Sequence, residues 1–140
     1  MTKRPMIVIA AAFLGVGCVV GVSEWRAAHA KEIIPWREDL DKGLVEAREQ
    51  HKEIFAYFTA TWCPPCNRMK HGAWASEDVR RAMVRRYVPV RIDVDAHPAL
   101  AKKYGVDAFP TFVVLSDDGE PVRRSVGGRE ADEMQAWLEK

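Results

Sequence analysis

The chain is poor in cysteine, with three in 140 residues. A small scaffold stapled by several disulfides in place of a core is therefore excluded. Neither sign of charge dominates: 21 basic residues stand against 20 acidic ones, for a formal charge of +1. That gives no overall basic field to hold nucleic acid. There are four histidines, but no pair at metal-ligand spacing, and no second pair of close cysteines to complete a four-ligand zinc site. Internal repeats and low-complexity linkers are also absent. What remains is 48% apolar and 29% charged, the balance of a globular chain long enough for one domain.

The one long apolar run lies at the start. Lys3 and Arg4 precede Met6 to Val22, 17 residues without a charge, and Ala28-His29-Ala30 follows. Two readings stay open. Residues 1–30 form either a signal peptide cleaved after Ala30 or an N-terminal membrane anchor through residues 6–22. Both place residues 31–140 as a domain outside the cytoplasm, in the periplasm if cleaved or tethered there, because the positive end stays inside. Cys18, within the run, reads as an incidental apolar residue. Without residues 1–30 the domain keeps 21 − 3 = 18 basic and 20 − 1 = 19 acidic residues, so charge gives no attraction to a membrane surface.

The rest alternates in type. Residues 35–52 predict a helix, with Leu40, Leu44 and Ala47 on one face and Pro35 and nearby acids at its start. Residues 54–60 are a short aromatic and apolar run, a strand buried on both faces. Residues 76–87 predict a helix capped by Ser76, with Val79, Met83 and Tyr87 inward and its arginines solvated. A strand over 87–95 follows, then a short helix from Pro98 that Gly105 stops. A strand over 109–115, an Asp-Gly turn and a return strand over 121–128 form a hairpin. Residues 129–140 close the chain as a helix with Met134, Trp137 and Leu138 inward. Strand–helix–strand implies a parallel pair, and the hairpin adds antiparallel ones. The expected class is α/β, a mixed central sheet with helices on both faces.

Between the first strand and the next helix stands Trp62-Cys63-Pro64-Pro65-Cys66. A thiol becomes a nucleophile only as thiolate, and a helix N-terminus favours that charge through its dipole and unpaired N–H groups. Two cysteines three residues apart in a first turn can bond to each other. Both prolines suit that turn, where a missing N–H breaks no helical bond. They also remove two donors to the thiolate, leaving chiefly the N–H groups of Cys66 and Asn67. A less stabilised thiolate makes the pair lean towards reductant. Half a metal site and an inert disulfide are the other uses of such a pair. No metal and no cofactor are expected.

The residues "AYFTATWCPPC", "VPVRIDVDAHPALAKKYGV" and "AFPTFVVLSDDGEPVRRSVGG" together resemble the thioredoxin-like superfamily over roughly residues 36–140. They are most similar to extracytoplasmic thiol–disulfide interchange proteins, including the C-terminal domain of the periplasmic ones. The resemblance implies a thioredoxin fold, with Cys63 as nucleophile, Cys66 as resolving thiol and Trp62 shielding the site. It implies that Pro110 is a cis-proline facing the disulfide and that the Phe109 backbone pairs with a substrate strand. The family's buried aspartate, six residues before the first cysteine, is here Tyr57, a poor base at neutral pH. Glu53 is the nearest upstream acid. The expected function is exchange of disulfides with protein substrates, as a reductant fed by a membrane thiol donor. The alternative is a non-catalytic metal-binding or assembly module built on the same cysteines.

Overall fold

The computed structural model describes residues 30–140. The apolar run, Ala28 and His29 of the cleavage motif, and Cys18 lie outside the described residues. Among the described residues, no helix is long and apolar enough to cross a membrane.

Helix α1 spans Leu40–Gln50, five residues later than its expected start at Pro35. Asp39 caps it, its carboxylate accepting the Lys42 N–H at 3.0 Å. The residues ahead of it are engaged elsewhere. The Arg37 N–H donates to the Pro89 carbonyl at 2.8 Å, and the Arg91 N–H donates back to the Arg37 carbonyl at 2.7 Å. This lead-in also buries Ile34 and packs Trp36 on Tyr57 and Trp74, with ring centroids 5.3 and 5.1 Å apart. A helix running back to Pro35 would forfeit that apolar burial, which outweighs local helix preference.

Strand β1 (Glu53–Thr59) leads into α2 (Pro64–His71). A short 3-10 turn at Ala73–Ala75 separates α2 from α3 (Glu77–Arg86). Ser76 caps α3 as expected, accepting the Val79 N–H at 3.4 Å. Strand β2 (Tyr87–Asp93), α4 (Pro98–Lys103), β3 (Thr111–Leu115), β4 (Pro121–Val126) and α5 (Ala131–Leu138) complete the order. The sheet runs β2-β1-β3-β4. β1 and β2 are parallel, and the other pairs are antiparallel. β3 begins at Thr111 rather than at residue 109, since Pro110 has no N–H for the ladder. The β3–β4 turn places Gly119 at φ 86°, which glycine adopts without a Cβ penalty.

Helices cover both faces. On one, Leu40 and Ala47 of α1 and Ala101 of α4 pack against Ile54, Ala56 and Phe58. On the other, Val79 and Met83 of α3 and Met134 and Leu138 of α5 pack against Phe55, Tyr57 and Phe112. Successive residues of β1 thus serve opposite layers. The architecture is the thioredoxin fold, with a mixed four-stranded sheet. The α3 arginines lie on its surface, Arg80 paired with Glu77 and Arg81 with Asp78.

The lead-in is clamped to α1 by ions. The Arg37 guanidinium donates to both Glu46 carboxylate oxygens, at 2.8 and 2.6 Å. Those hydrogen bonds hold the Glu46 carboxyl below its usual range. A carboxylate whose pKa is lower folded than unfolded stabilises the fold above its unfolded pKa and loses that contribution as pH falls through the folded value. The pair is partly exposed, so Glu46→Gln is expected to cost at most about 1 kcal/mol at pH 7. That gap should close as pH drops below about 4. Denaturant melts of both proteins from pH 7 to pH 3 would show it; a gap constant with pH would refute it.

Candidate active site

The loop Ala60-Thr61-Trp62 carries the chain from β1 to Cys63, the N-cap of α2. Pro64 and Pro65 occupy the first two helical positions, where no donor is lost to the helix. Cys63 and Cys66 are joined, with an S–S distance of 2.12 Å and Cα atoms 5.3 Å apart. The Cys66 N–H donates to Cys63 Sγ at 3.3 Å. The Asn67 N–H, expected at the sulfur as well, instead donates to the Cys63 carbonyl at 3.1 Å. That is the ordinary helical bond four residues back, and among the described residues it leaves one backbone donor on the sulfur. The Asn67 side chain closes the loop by donating to the Thr61 carbonyl at 3.0 Å.

Both cysteines are buried, Cys63 at 2% exposure and Cys66 at 0%. In the oxidised pair Cys63 is thus nearly as closed off as Cys66. Trp62 is 61% exposed. Its ring meets Phe109 edge to face at 5.8 Å, and its Nε1 donates to Asp95 at 2.8 Å. Sequence reading missed Asp95, which lies 33 residues away in the turn after β2 and belongs to no motif. The turn is itself braced, since Asp93 accepts the Asp95 N–H at 2.9 Å.

The Phe109–Pro110 peptide is cis. The Pro110 carbonyl accepts the Gly127 N–H at 2.8 Å. Gly128 lies so close to α2 that a Cβ there would stand 3.3 Å from Pro65 Cβ. The cysteine turn, the cis-proline and the β4–α5 loop therefore meet in one surface. Chain segments 63–66, 109–110 and 127–128 come together there.

Residues 40–140 match the family model for the thioredoxin-like domain. The chain belongs to the thioredoxin-like family. Thioredoxin H4 of Arabidopsis thaliana is 37% identical over 112 residues, covering 80% of this chain and 85% of that one. Thioredoxin of Bacillus subtilis is 38% identical over 87 residues, covering 62% and 80%. Among solved structures, the oxidised C-terminal domain of Neisseria meningitidis DsbD superposes with a TM-score of 0.63 at 29% identity, covering 74% of this chain and 97% of that domain. With a joined CxxC pair at a helix start in this family's fold, this thioredoxin-like protein is a thiol–disulfide oxidoreductase.

Within that family fold Tyr57 is a core aromatic. It is 1% exposed, with Trp74 and Phe112 rings 5.2 and 5.7 Å away. Burial pushes its phenol above the ordinary value, further from service as a base. Among the described residues, its hydroxyl and the neighbouring Trp74 Nε1 have no hydrogen-bond partner. Glu53 opens β1, at the end of that strand opposite the cysteines. Six residues of strand put it roughly 20 Å from Thr59, so it does not reach the thiols. His51, His71 and His97 are all exposed. His71 bonds the Ala30 carbonyl at 2.8 Å, and the other two flank α1 and α4. Among the described residues, no three His, Cys, Asp or Glu side chains gather to hold a metal ion.

Proposed function

We propose that the protein reduces disulfides of protein substrates outside the cytoplasm. The observation that carries this reading is the Cys63 sulfur at the N-cap of α2, bonded to Cys66 and given a single backbone donor. The Cys63 thiolate attacks one sulfur of a substrate disulfide. A mixed disulfide forms, and the other substrate sulfur leaves as a thiolate that takes a proton. Cys66, deprotonated to solvent, then attacks Cys63 Sγ. The second substrate sulfur leaves, the Cys63–Cys66 bond closes, and two electrons have passed to the substrate. Trp62, Pro64, Pro65, Phe109 and Pro110 shape the surface on which the substrate lies. The Phe109 backbone offers it a partner for extended pairing.

The direction follows from what the sulfur lacks. Strong oxidants of this kind stabilise the reduced form. Here Pro64 and Pro65 have no N–H to give, and that of Asn67 is spent on the Cys63 carbonyl. Work as a reductant in an oxidising compartment requires a supply of electrons, which a membrane thiol carrier would provide. The location outside the cytoplasm rests on Lys3, Arg4, the apolar run and Ala28-His29-Ala30. Likeness to the DsbD C-terminal domain supports it.

Equilibration of the purified protein against glutathione or dithiothreitol tests the direction. A potential of about −270 mV is expected, and one near about −120 mV would make the protein an oxidant. A pair that does not cycle would return the weight to a metal-binding or assembly module.

A further inference from the structure

Beside the redox surface runs a groove of about 150 Å³ between α2 and the start of α5. Pro65 and Arg68 form one wall, Gly128, Arg129 and Glu130 the other, and Met69 lies on the α2 side. It therefore begins at the second proline of the cysteine turn. Among the described residues neither Arg68 nor Arg129 has a carboxylate within ion-pair distance, although eight such pairs form elsewhere. Arg129 is half-buried. One of its terminal nitrogens donates to the Ser125 hydroxyl, while its Nε is shut away from water with no acceptor among the described residues. A guanidinium that has already lost part of its hydration gives up less when it meets a carboxylate. Glu130 is the one acid on the groove, and it is the N-cap of α5, where the helix dipole offsets its charge.

We infer that this groove is a specificity subsite that takes an acidic side chain of the substrate polypeptide, next to the cysteine under attack. The inference rests on the reading of the protein as a reductant of protein disulfides. Arg68 is exposed at the mouth and steers the carboxylate in. Arg129, fixed by Ser125, presents a planar fork that holds it. Gly128 keeps the wall low, since a Cβ there would press on Pro65.

The test uses the reduced full-length protein and two disulfide-bonded peptides, identical except for Glu-Glu or Lys-Lys beside one cysteine. The acidic peptide is expected to be reduced about tenfold faster at low salt, the scale of one charge-assisted hydrogen bond. The ratio should fall towards one in Arg68→Ala/Arg129→Ala and invert in Arg68→Glu/Arg129→Glu. Reduction of an uncharged small disulfide, bis(2-hydroxyethyl) disulfide, should stay as in wild type, showing the variants folded and competent. Equal rates for the two peptides, or a preference that survives the double substitution, would overturn the subsite while leaving the reductase reading intact. Failure to reduce either peptide or the small disulfide would overturn both.

Discussion

Cys66→Ser is expected to yield a protein that attacks a substrate once and stays bound to it. The Cys63 thiolate in that variant still has its place at the N-cap of α2, so the mixed disulfide forms. Release needs a second thiolate at bonding distance from Cys63 Sγ, which among the described residues Cys66 alone provides. A hydroxyl at the same position does not cleave a disulfide. Multiple turnover should fall at least about a thousandfold, as it does when one member of a catalytic unit is removed. Non-reducing gels should show covalent adducts with a disulfide-bonded client, released by dithiothreitol. Cys63→Ser should lose turnover equally and trap nothing. Adducts on Cys66 in that second variant would reverse the two roles. No adducts in either would favour the assembly module.

The second large effect concerns stability. Tyr57→Asp puts a carboxyl where thioredoxins carry one, but into an aromatic layer of Trp36, Trp74 and Phe112. Removing the buried ring costs about 3–5 kcal/mol by cavity formation, and an unpaired buried charge adds several more. The new carboxyl should titrate higher folded than unfolded, because burial disfavours its charge. Its penalty is then smallest below the unfolded pKa and grows as pH rises towards the folded one. Denaturant midpoints at pH 4 and pH 7 should separate the two contributions. Tyr57→Phe should cost less than about 1 kcal/mol and leave turnover unchanged, since the lost hydroxyl has no well-placed partner among the described residues and an unpaired buried polar group is a burden. A marked fall in turnover for Tyr57→Phe would show that the phenol serves proton transfer after all.

The element order and the cysteine turn were legible because both are written in local spacing. Apolar residues two apart, or three and four apart, mark which residues face a core. Pro-Pro between two cysteines fixes a first turn. What could not be read was where backbone groups are spent over long distances. Pro35 and the acids after it look like a helix start. Only the Arg37–Pro89 and Arg91–Arg37 bonds and the Trp36 contacts with Trp74 show why α1 begins at Leu40. The same holds at the site. Cys63 and Cys66 announce themselves, whereas Asp95, which orients Trp62, is an unremarked acid in a turn. Proximity in sequence points the Asn67 N–H at the sulfur, yet the helix claims it first.

The lead-in that displaced the start of α1 also bears on how copies of this protein meet. Arg37 lies against the middle of β2 through the bridge to Val90, so one border of the sheet is occupied within the molecule. β4 forms the other border, and Val122 and Val126 stand exposed along it. Open strand borders are where sheets of separate molecules join. A molecule with one open border can join one neighbour there, and the joined pair has none left. Pairing through that border would therefore stop at two copies, whereas two open borders would let it run on.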